Sequence, residues 1–336
     1  MSPTMDDVAR AAGVSRSLVS LVFQDSPKVT ERSRARVLVA AERLGYRPNR
    51  LARSLASKST RTLGVLLNDI SNPYFAEVYG ALSASAASAG YGVLLGAGER
   101  SAEREAEVIA ELRDHRVAGL VLVSPRLPEA QLKAAVAGLP TALIGRQVRA
   151  RQVDCIVNDE AAGVRQAIGL LRELGHRRIA HVSGGHGAGA AERRAAYEQA
   201  MRASGLSRQV CVVEGDFTEA AGQHAAGALL AARNRPTAVL AANDLVAVGL
   251  MAALATAGLR VPRDISVVGY DNLPLSALSM ISLTTVAQDL SSFGPAAVSL
   301  LLDRLAAEPG TRAHRATTQT FEPALIVRRT TAKAPR

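Results

Sequence analysis

The sequence predicts a small all-α segment followed by a larger α/β core of two doubly wound lobes. Three observations predict it: two short amphipathic helices joined by a glycine turn near the N terminus, a concentration of positive charge in the same segment, and a long alternation of short apolar runs with helical patterns from residue 63 onward. A chain of 336 residues is long enough for about two domains. Its 48% hydrophobic content fills globular cores and excludes a disordered tail, a collagen or a small disulfide scaffold. No stretch reaches the ~18 consecutive apolar residues of a membrane helix. The N terminus carries Asp6, Asp7, Arg10 and Arg16 rather than an apolar signal core. A soluble, cytoplasmic protein with no membrane partner is expected. Cys155 and Cys211 each sit inside a short apolar run and read as reduced core thiols.

The first helix starts at Thr4, an N-cap with Asp7 three positions on, a capping-box pattern with Asp in place of Glu. Val8, Ala9 and Ala12 give it an apolar face, and Gly13 supplies the turn. Ser15 caps a second helix, with Leu18, Val19 and Val22 facing inward and Arg16, Ser17 and Leu21 outward. Such a pair forms a helix-turn-helix, whose second helix enters a DNA major groove by its N-terminal residues. Thr30 leads into a third helix that stops at Gly45. Residues 1–60 hold 11 of the 40 basic residues against 5 acidic ones, so +6 of the chain's +10 lies here, as a polyanion partner requires. The run 57–62 is polar and reads as a linker.

From residue 63, strands are predicted at 63–67, 93–95, 120–123, 142–144, 179–182, 210–213, 238–241 and 265–269. Helices are predicted at 103–114, 160–174, 192–204 and 244–257. Repeated strand-helix units give parallel sheets with helices on both faces, and ligands then bind beyond the carboxyl ends of the strands. The size limit on a single core favours two lobes over one sheet. Several polar or aromatic residues follow predicted strands directly. Tyr74 and Phe75 come after the first through an Asn-Pro turn, Arg146 after 142–144, and Arg193 opens the helix after 179–182. Phe217, Asn243, Asp271 and Gln288 follow later strands in the same way.

The motifs Ala12-Gly13-Val14-Ser15, Leu44-Gly45-Tyr46-Arg47-Pro48-Asn49, Asn72-Pro73-Tyr74-Phe75, Gly175-His176-Arg177-Arg178-Ile179-Ala180, Ala242-Asn243-Asp244 and Val267-Val268-Gly269-Tyr270-Asp271 occur in this order along the chain. Together they resemble the lactose-repressor (LacI) family of bacterial transcription regulators over nearly the whole length. The resemblance implies a helix-turn-helix DNA-binding head at 1–48, a hinge helix and linker at 49–62, a periplasmic-binding-protein-like effector and dimerisation core at 63–330, and a tail at 331–336. The core is expected to be crossed by the chain near 160, 290 and 322. The implied function is a ligand-responsive, sequence-specific regulator, a repressor, binding a palindromic operator in double-stranded DNA as a homodimer. Its implied effector is a small molecule, a sugar or sugar derivative, with no cofactor.

By the same resemblance, Thr4, Ser15, Arg16, Ser17, Ser20, Leu21 and Lys28 fall at DNA-contact positions. Arg16 suits a guanine O6/N7 pair, whereas Leu21 replaces a residue that is often basic. Asn49, Arg50, Ala52 and Leu55 match the hinge helix, whose paired leucines wedge into the minor groove. A helix this short is not stable alone in water, so its ordering is expected to need DNA and a partner hinge. Arg193, Phe217, Asn243, Asp271 and Gln288 match effector contacts, and Tyr74, Phe75 and Arg146 match more variable ones. Their chemistry suits a hydroxylated ligand: Asp271 and Asn243 accept from hydroxyls, Arg193 forks two oxygens, and Phe217 offers a flat apolar face.

Other signals are weaker. The glycine run from Gly185 to Gly189 partly matches a dinucleotide fingerprint, but Glu214, the nearest strand-end acid, lies 29 positions on instead of ~20. It is read instead as a flexible loop that lets Arg193 reach ligand. His176, His181 and His186 cannot converge on a metal from one strand and its two flanks. There is no nucleophile elbow, P-loop lysine or zinc-protease helix. An enzyme or a solute-binding protein on the same core is the rival reading, and the helix-turn-helix argues against both.

Overall fold

The computed structural model describes residues 3–23, 26–46, 60–307 and 315–335. The chain divides into two compact units, Met1–Thr60 and Arg61–Arg336. The expected hinge positions Asn49, Arg50, Ala52 and Leu55 lie outside the described residues.

In the first unit, α1 (Met5–Ala12) begins with the full capping box: Asp7 N–H donates to the Thr4 hydroxyl at 3.3 Å, and Thr4 N–H donates to the Asp7 carboxylate at 2.9 Å. Gly13 ends it in the left-handed conformation. The Ser15 hydroxyl accepts from Leu18 N–H at the start of α2 (Arg16–Phe23). Thr30 caps α3 (Glu31–Leu44) through Ser33 N–H. Val8, Ala12, Val19, Val22, Val37 and Ala41 form the core of this unit. Two of its arginines serve the fold. Arg36 Nη2 donates to Ala12 O at 2.5 Å, and Arg34 Nη2 to Ser26 O at 2.9 Å, so α3 is tied to the turns on either side of α2.

The second unit alternates strands and helices. Its N-terminal half runs β1 (Thr62–Leu67), α4 (Pro73–Ser88), β2 (Gly92–Ala97), α5 (Ala102–Asp114), β3 (Gly119–Val123), α6 (Glu129–Ala135), β4 (Thr141–Ile144) and β5 (Val153–Asn158). The next half runs α7 (Glu160–Glu173), β6 (Ile179–Val182), α8 (Ala190–Ala203), β7 (Cys211–Val213), α9 (Glu219–Ala231), β8 (Ala238–Ala241), α10 (Asp244–Thr256), β9 (Ser266–Asp271) and β10 (Thr284–Ala287). The chain returns through α11 (Leu290–Ala306), β11 (Thr318–Phe321) and β12 (Ala324–Ile326).

These strands make two six-stranded sheets, ordered β11-β5-β4-β3-β1-β2 and β12-β10-β9-β8-β6-β7. Every pairing is parallel except β12 against β10. The central strands are apolar throughout because helices cover both faces. The chain passes between lobes after β5, after β10 and between β11 and β12, as expected near 160, 290 and 322. On its return, α11 packs against α4 so closely that a Cβ at Gly294 would stand 2.4 Å from Leu82 N.

Three expectations need correction. Leu21 is half-buried against the head core rather than free on the outer face of α2. Strands β5, β11 and β12 are not among the predicted strands, whereas β10 is the strand expected at 283–286 before Gln288. The segment read as a tail from 331 is part of the C-terminal lobe: Thr331 hydroxyl meets that of Thr284, Ala332 O meets His176 Nε2 at 3.0 Å, and Ala334 N–H donates to Leu174 O. His176 thus fixes a turn, its Nδ1 lying 2.9 Å from the Thr237 hydroxyl. Among the described residues no helix is long and apolar enough to cross a membrane.

The return strand depends on one buried ion pair. Asp154, fully buried in β5, is bridged by the Nε and Nη2 of Arg304 on α11, the latter at 2.7 Å, and accepts from Thr317 N–H. Asp154→Ala leaves a buried guanidinium unpaired and is expected to cost about 3–5 kcal/mol in urea unfolding. A loss below about 1 kcal/mol, the value of an exposed pair, contradicts this role.

Candidate functional site

Both sheets turn the carboxyl ends of their parallel strands toward one cleft, whose empty space, open solvent included, is about 570 Å³. The fold dictates this convergence. In each sheet the first strand has later strands on both sides, so the loops leaving its end diverge and open a crevice. The N-terminal lobe supplies Asn68 and Tyr74 after β1, Arg100 after β2, Ser124 and Arg126 after β3, and Gly145 after β4. The C-terminal lobe supplies Arg193, Asp216, Phe217, Asn243 and Asp271, and Glu160 and Gln288 stand where the chain crosses.

Arg193 is the centre of the polar wall. Its side chain is 6% exposed. Nε donates to Glu160 Oε2 at 2.7 Å, Nη2 to Glu160 Oε1 at 3.2 Å, and Nη1 to Ala242 O at 2.6 Å. Its guanidinium carbon lies 3.7 Å from the centre of the Tyr270 ring and 5.6 Å from that of Phe217. Asp271 Oδ1 is 3.9 Å from Nη1 and accepts from Gln288 Nε2 at 2.6 Å. The bidentate carboxylate and the aromatic face are what keep a buried guanidinium charged and fixed.

Phe217 owes its place to glycines. A Cβ at Gly184 would stand 2.2 Å from the Phe217 ring, and one at Gly187 would stand 2.4 Å from it. The glycine run is therefore the bed of this ring, and not only a loop that admits Arg193. Asn243 serves two neighbours: its Oδ1 accepts from Val246 N–H to cap α10, and its Nδ2 donates to Phe217 O at 3.1 Å. Its cap role and its place in the cleft wall coexist. Phe217, Asp271 and Ser124 all have positive φ (69°, 105° and 51°), so three cleft residues hold backbone conformations that side chains disfavour.

Seven of the eight expected effector residues line the cleft; Arg146 does not. Its Nη1 donates to the carbonyls of Pro125 and Leu127, beside the buried carboxylate of Glu105. Only its neighbour Gly145 reaches the cavity. Tyr74 and Phe75 are both core and lining, packed edge to face at 5.1 Å. Sequence reasoning passed over Arg100, Arg126, Glu160 and Asp216. Arg126 carries the same signal as the residues it chose, a polar side chain just past a strand. In the head, Ser15, Arg16, Ser17 and Lys28 are exposed and Ser20 is half-buried, while Arg16 Nη1 stands 3.6 Å from Asp6. Thr4, also exposed, is occupied as the cap of α1.

Burial pushes the Asp271 carboxyl up to about 8 despite the opposing pull of Arg193, and burial raises Asp244 to about 7 despite bonds from Thr285 and Leu273. In the unfolded chain both return to near 4 (~3.9 for a free Asp). The folded state therefore binds more protons across that window, and these groups withdraw stability as pH rises from about 4 to about 8. Asp271→Asn cannot titrate, so its urea midpoint relative to wild type is expected to climb steadily from pH 4 to pH 8. A difference independent of pH contradicts the buried, raised carboxyl.

Comparison with known proteins agrees with the geometry. Residues 4–49 match the family described as bacterial regulatory proteins, lacI family, and residues 168–331 match the periplasmic binding protein-like domain. The transcriptional repressor PurR of Erwinia tasmaniensis is 34% identical over 342 residues, covering 99% of this chain and 98% of its own. A crystal structure of the lac repressor dimer bound to operator and the anti-inducer ONPF superposes with a TM-score of 0.87 at 30% identity, covering 99% of this chain and all of that one. A complex of the transcriptional regulator CelR with cellobiose gives 0.72 at 30% identity, covering 98% of this chain and 99% of that one. These relatives are regulators, not enzymes, and the chain belongs to the lacI family of bacterial regulatory proteins.

Proposed function

We propose that this regulator is a repressor acting as a homodimer on a palindromic operator, released or recruited by a sugar or sugar derivative bound in the cleft. The observation that carries the reading is the convergence of Asp271, Gln288, Asn243 and Arg193 on one cavity floored by Phe217. Asp271 accepts from ligand hydroxyls, Gln288 orients it, and Phe217 covers an apolar sugar face. Arg193 acts from behind, since Glu160 and Ala242 already engage three of its nitrogens. The cellobiose complex of a relative of the same fold supports this ligand class.

The DNA-reading part is proposed as residues 1–48, with Arg16 and Ser17 at base edges, Ser15, Ser20, Thr4 and Lys28 flanking them, and Leu21 giving an apolar contact at most. The segment 49–62 is proposed as the hinge, with Asn49, Arg50, Ala52 and Leu55 toward the minor groove. The core follows from 63. A dimer is supported by the edge strand β2, whose Val93, Leu94 and Leu95 stay partly uncovered, and by exposed Leu278 and Met280. The operator-bound dimer of the lac repressor supports the same assembly.

Two substitutions separate base reading from phosphate contact. Arg16→Ala is expected to relax preference at one operator position by about 1–3 kcal/mol, whereas Lys28→Ala weakens all sequences alike and lowers the salt slope by about one. Binding measured on an operator selected from random DNA checks this. Equal effects of the two on every sequence contradict the recognition-helix assignment.

A further inference from the structure

Of the three arginines that line the cleft, two are paired with a carboxylate, and the Asp69 carboxylate on the same wall accepts, among the described residues, only from Ser71. Arg193 is held by Glu160, and Arg100 Nη2 reaches across to Asp216 Oδ2 at 2.7 Å, joining the two lobes. Arg126 has no such partner. Its backbone N–H and that of Leu127 are both fixed by the fully buried Glu105 carboxylate at 2.8–2.9 Å, so the loop that carries it is rigidly placed. Its side chain is half-buried in the cleft wall, its Nε is buried without an acceptor, and among the described residues no carboxylate lies within ion-pair distance of it.

Burial and repulsion from Arg100 both push the Arg126 guanidinium below its usual range, with Glu105, Asp216 and Asp69 pulling the other way. A buried donor on a charged group gains most from an anionic acceptor, because such hydrogen bonds are the strong ones. The opposite wall is different in character: Asp271, Gln288 and Asn243 suit neutral hydroxyls. The cavity therefore has two ends of distinct chemistry: a polyol end on the C-terminal lobe and, on the N-terminal lobe, an end where Arg126 and Arg100 outnumber the one carboxylate, Asp69.

We infer that the effector carries an anionic oxygen group, a phosphate ester or a carboxylate, which Arg126 receives with Arg100 beside it while the hydroxyls face Asp271 and Gln288. The inference rests on the cleft being a sugar-effector site. It makes Arg126 the specificity-determining residue for charged over neutral sugars. A bound anion between Arg126 and Arg100 also competes with Asp216 for Arg100, the one side-chain ion pair described between the lobes at this point of the cleft.

Thermal unfolding of the full-length protein with aldohexoses, their phosphate monoesters and the matching hexuronates, at equal concentration and ionic strength, tests this. A charged sugar is expected to bind about 10- to 100-fold more tightly than its neutral parent, the range of a charge-assisted hydrogen bond. Arg126→Gln should erase that preference while neutral-sugar binding persists, and Arg126→Lys should keep part of it. Stabilisation by phosphate esters alone or by uronates alone identifies the anionic group. Neutral sugars that bind as well as charged ones overturn the inference and leave the sugar reading standing. A preference that survives Arg126→Gln, as capture by the basic head would, also overturns it. Failure of every sugar, charged or neutral, overturns both.

Discussion

The geometry of the cleft depends on one buried guanidinium. Arg193 leaves the start of α8, yet its partners come from everywhere the chain must hold still: Glu160 just past the first crossing between lobes, Ala242 at the end of β8, and the Tyr270 ring with Asp271 at the end of β9. Asp271 passes the linkage to Gln288 at the second crossing, and Asn158 at the first crossing donates to the Tyr270 hydroxyl. Such a charge is tolerated only because carboxylate, carbonyl and aromatic face all meet it. The same arrangement places Asp271, which lines the cleft, next to two of the segments that cross between the lobes. Under the proposed function, a ligand that draws on Asp271 acts on the crossings themselves, and coupling to a second site needs such a differential contact.

Much of this was legible in the sequence because the signals were local. The capping box at Thr4 and Asp7, the glycine stop at Gly13 and the apolar strand runs need only their neighbours to be read. What escaped notice depends on partners far along the chain. Strand β5 was missed because Asp154 interrupts its apolar run, and that carboxylate is buried only because Arg304, 150 residues on, neutralises it. Strand β11 is polar and exposed, and exists as a strand through its register with β5. Arg146 had the right position after a strand and still turned away, toward carbonyls that only the folded β3 loop presents. The role of the glycine run was half visible, since its need for close approach was clear and the ring that approaches was not.

The basic head shows why a charge count overstates a surface. Of its arginines, Arg34 and Arg36 spend their donors on backbone carbonyls, so their charge supports α3 as much as any phosphate. Arg16 instead lies exposed at the first turn of α2, near Asp6 and free to exchange it for a base edge. In the proposed DNA-reading role, Leu21, half-buried against the head core, leaves base contact to Arg16 and Ser17.

In the proposed function the cleft and the DNA-reading head are two sites with one coupling free energy. This coupling is tested most directly by reciprocity: DNA affinity measured with and without saturating ligand, and ligand affinity measured with and without saturating DNA, on the same full-length protein. The same factor, different from one, is expected in both directions, with a smaller factor in Arg193→Lys, which keeps the charge but loses the fork to Glu160. Ligand affinity that is identical in the presence and absence of DNA would contradict the coupling.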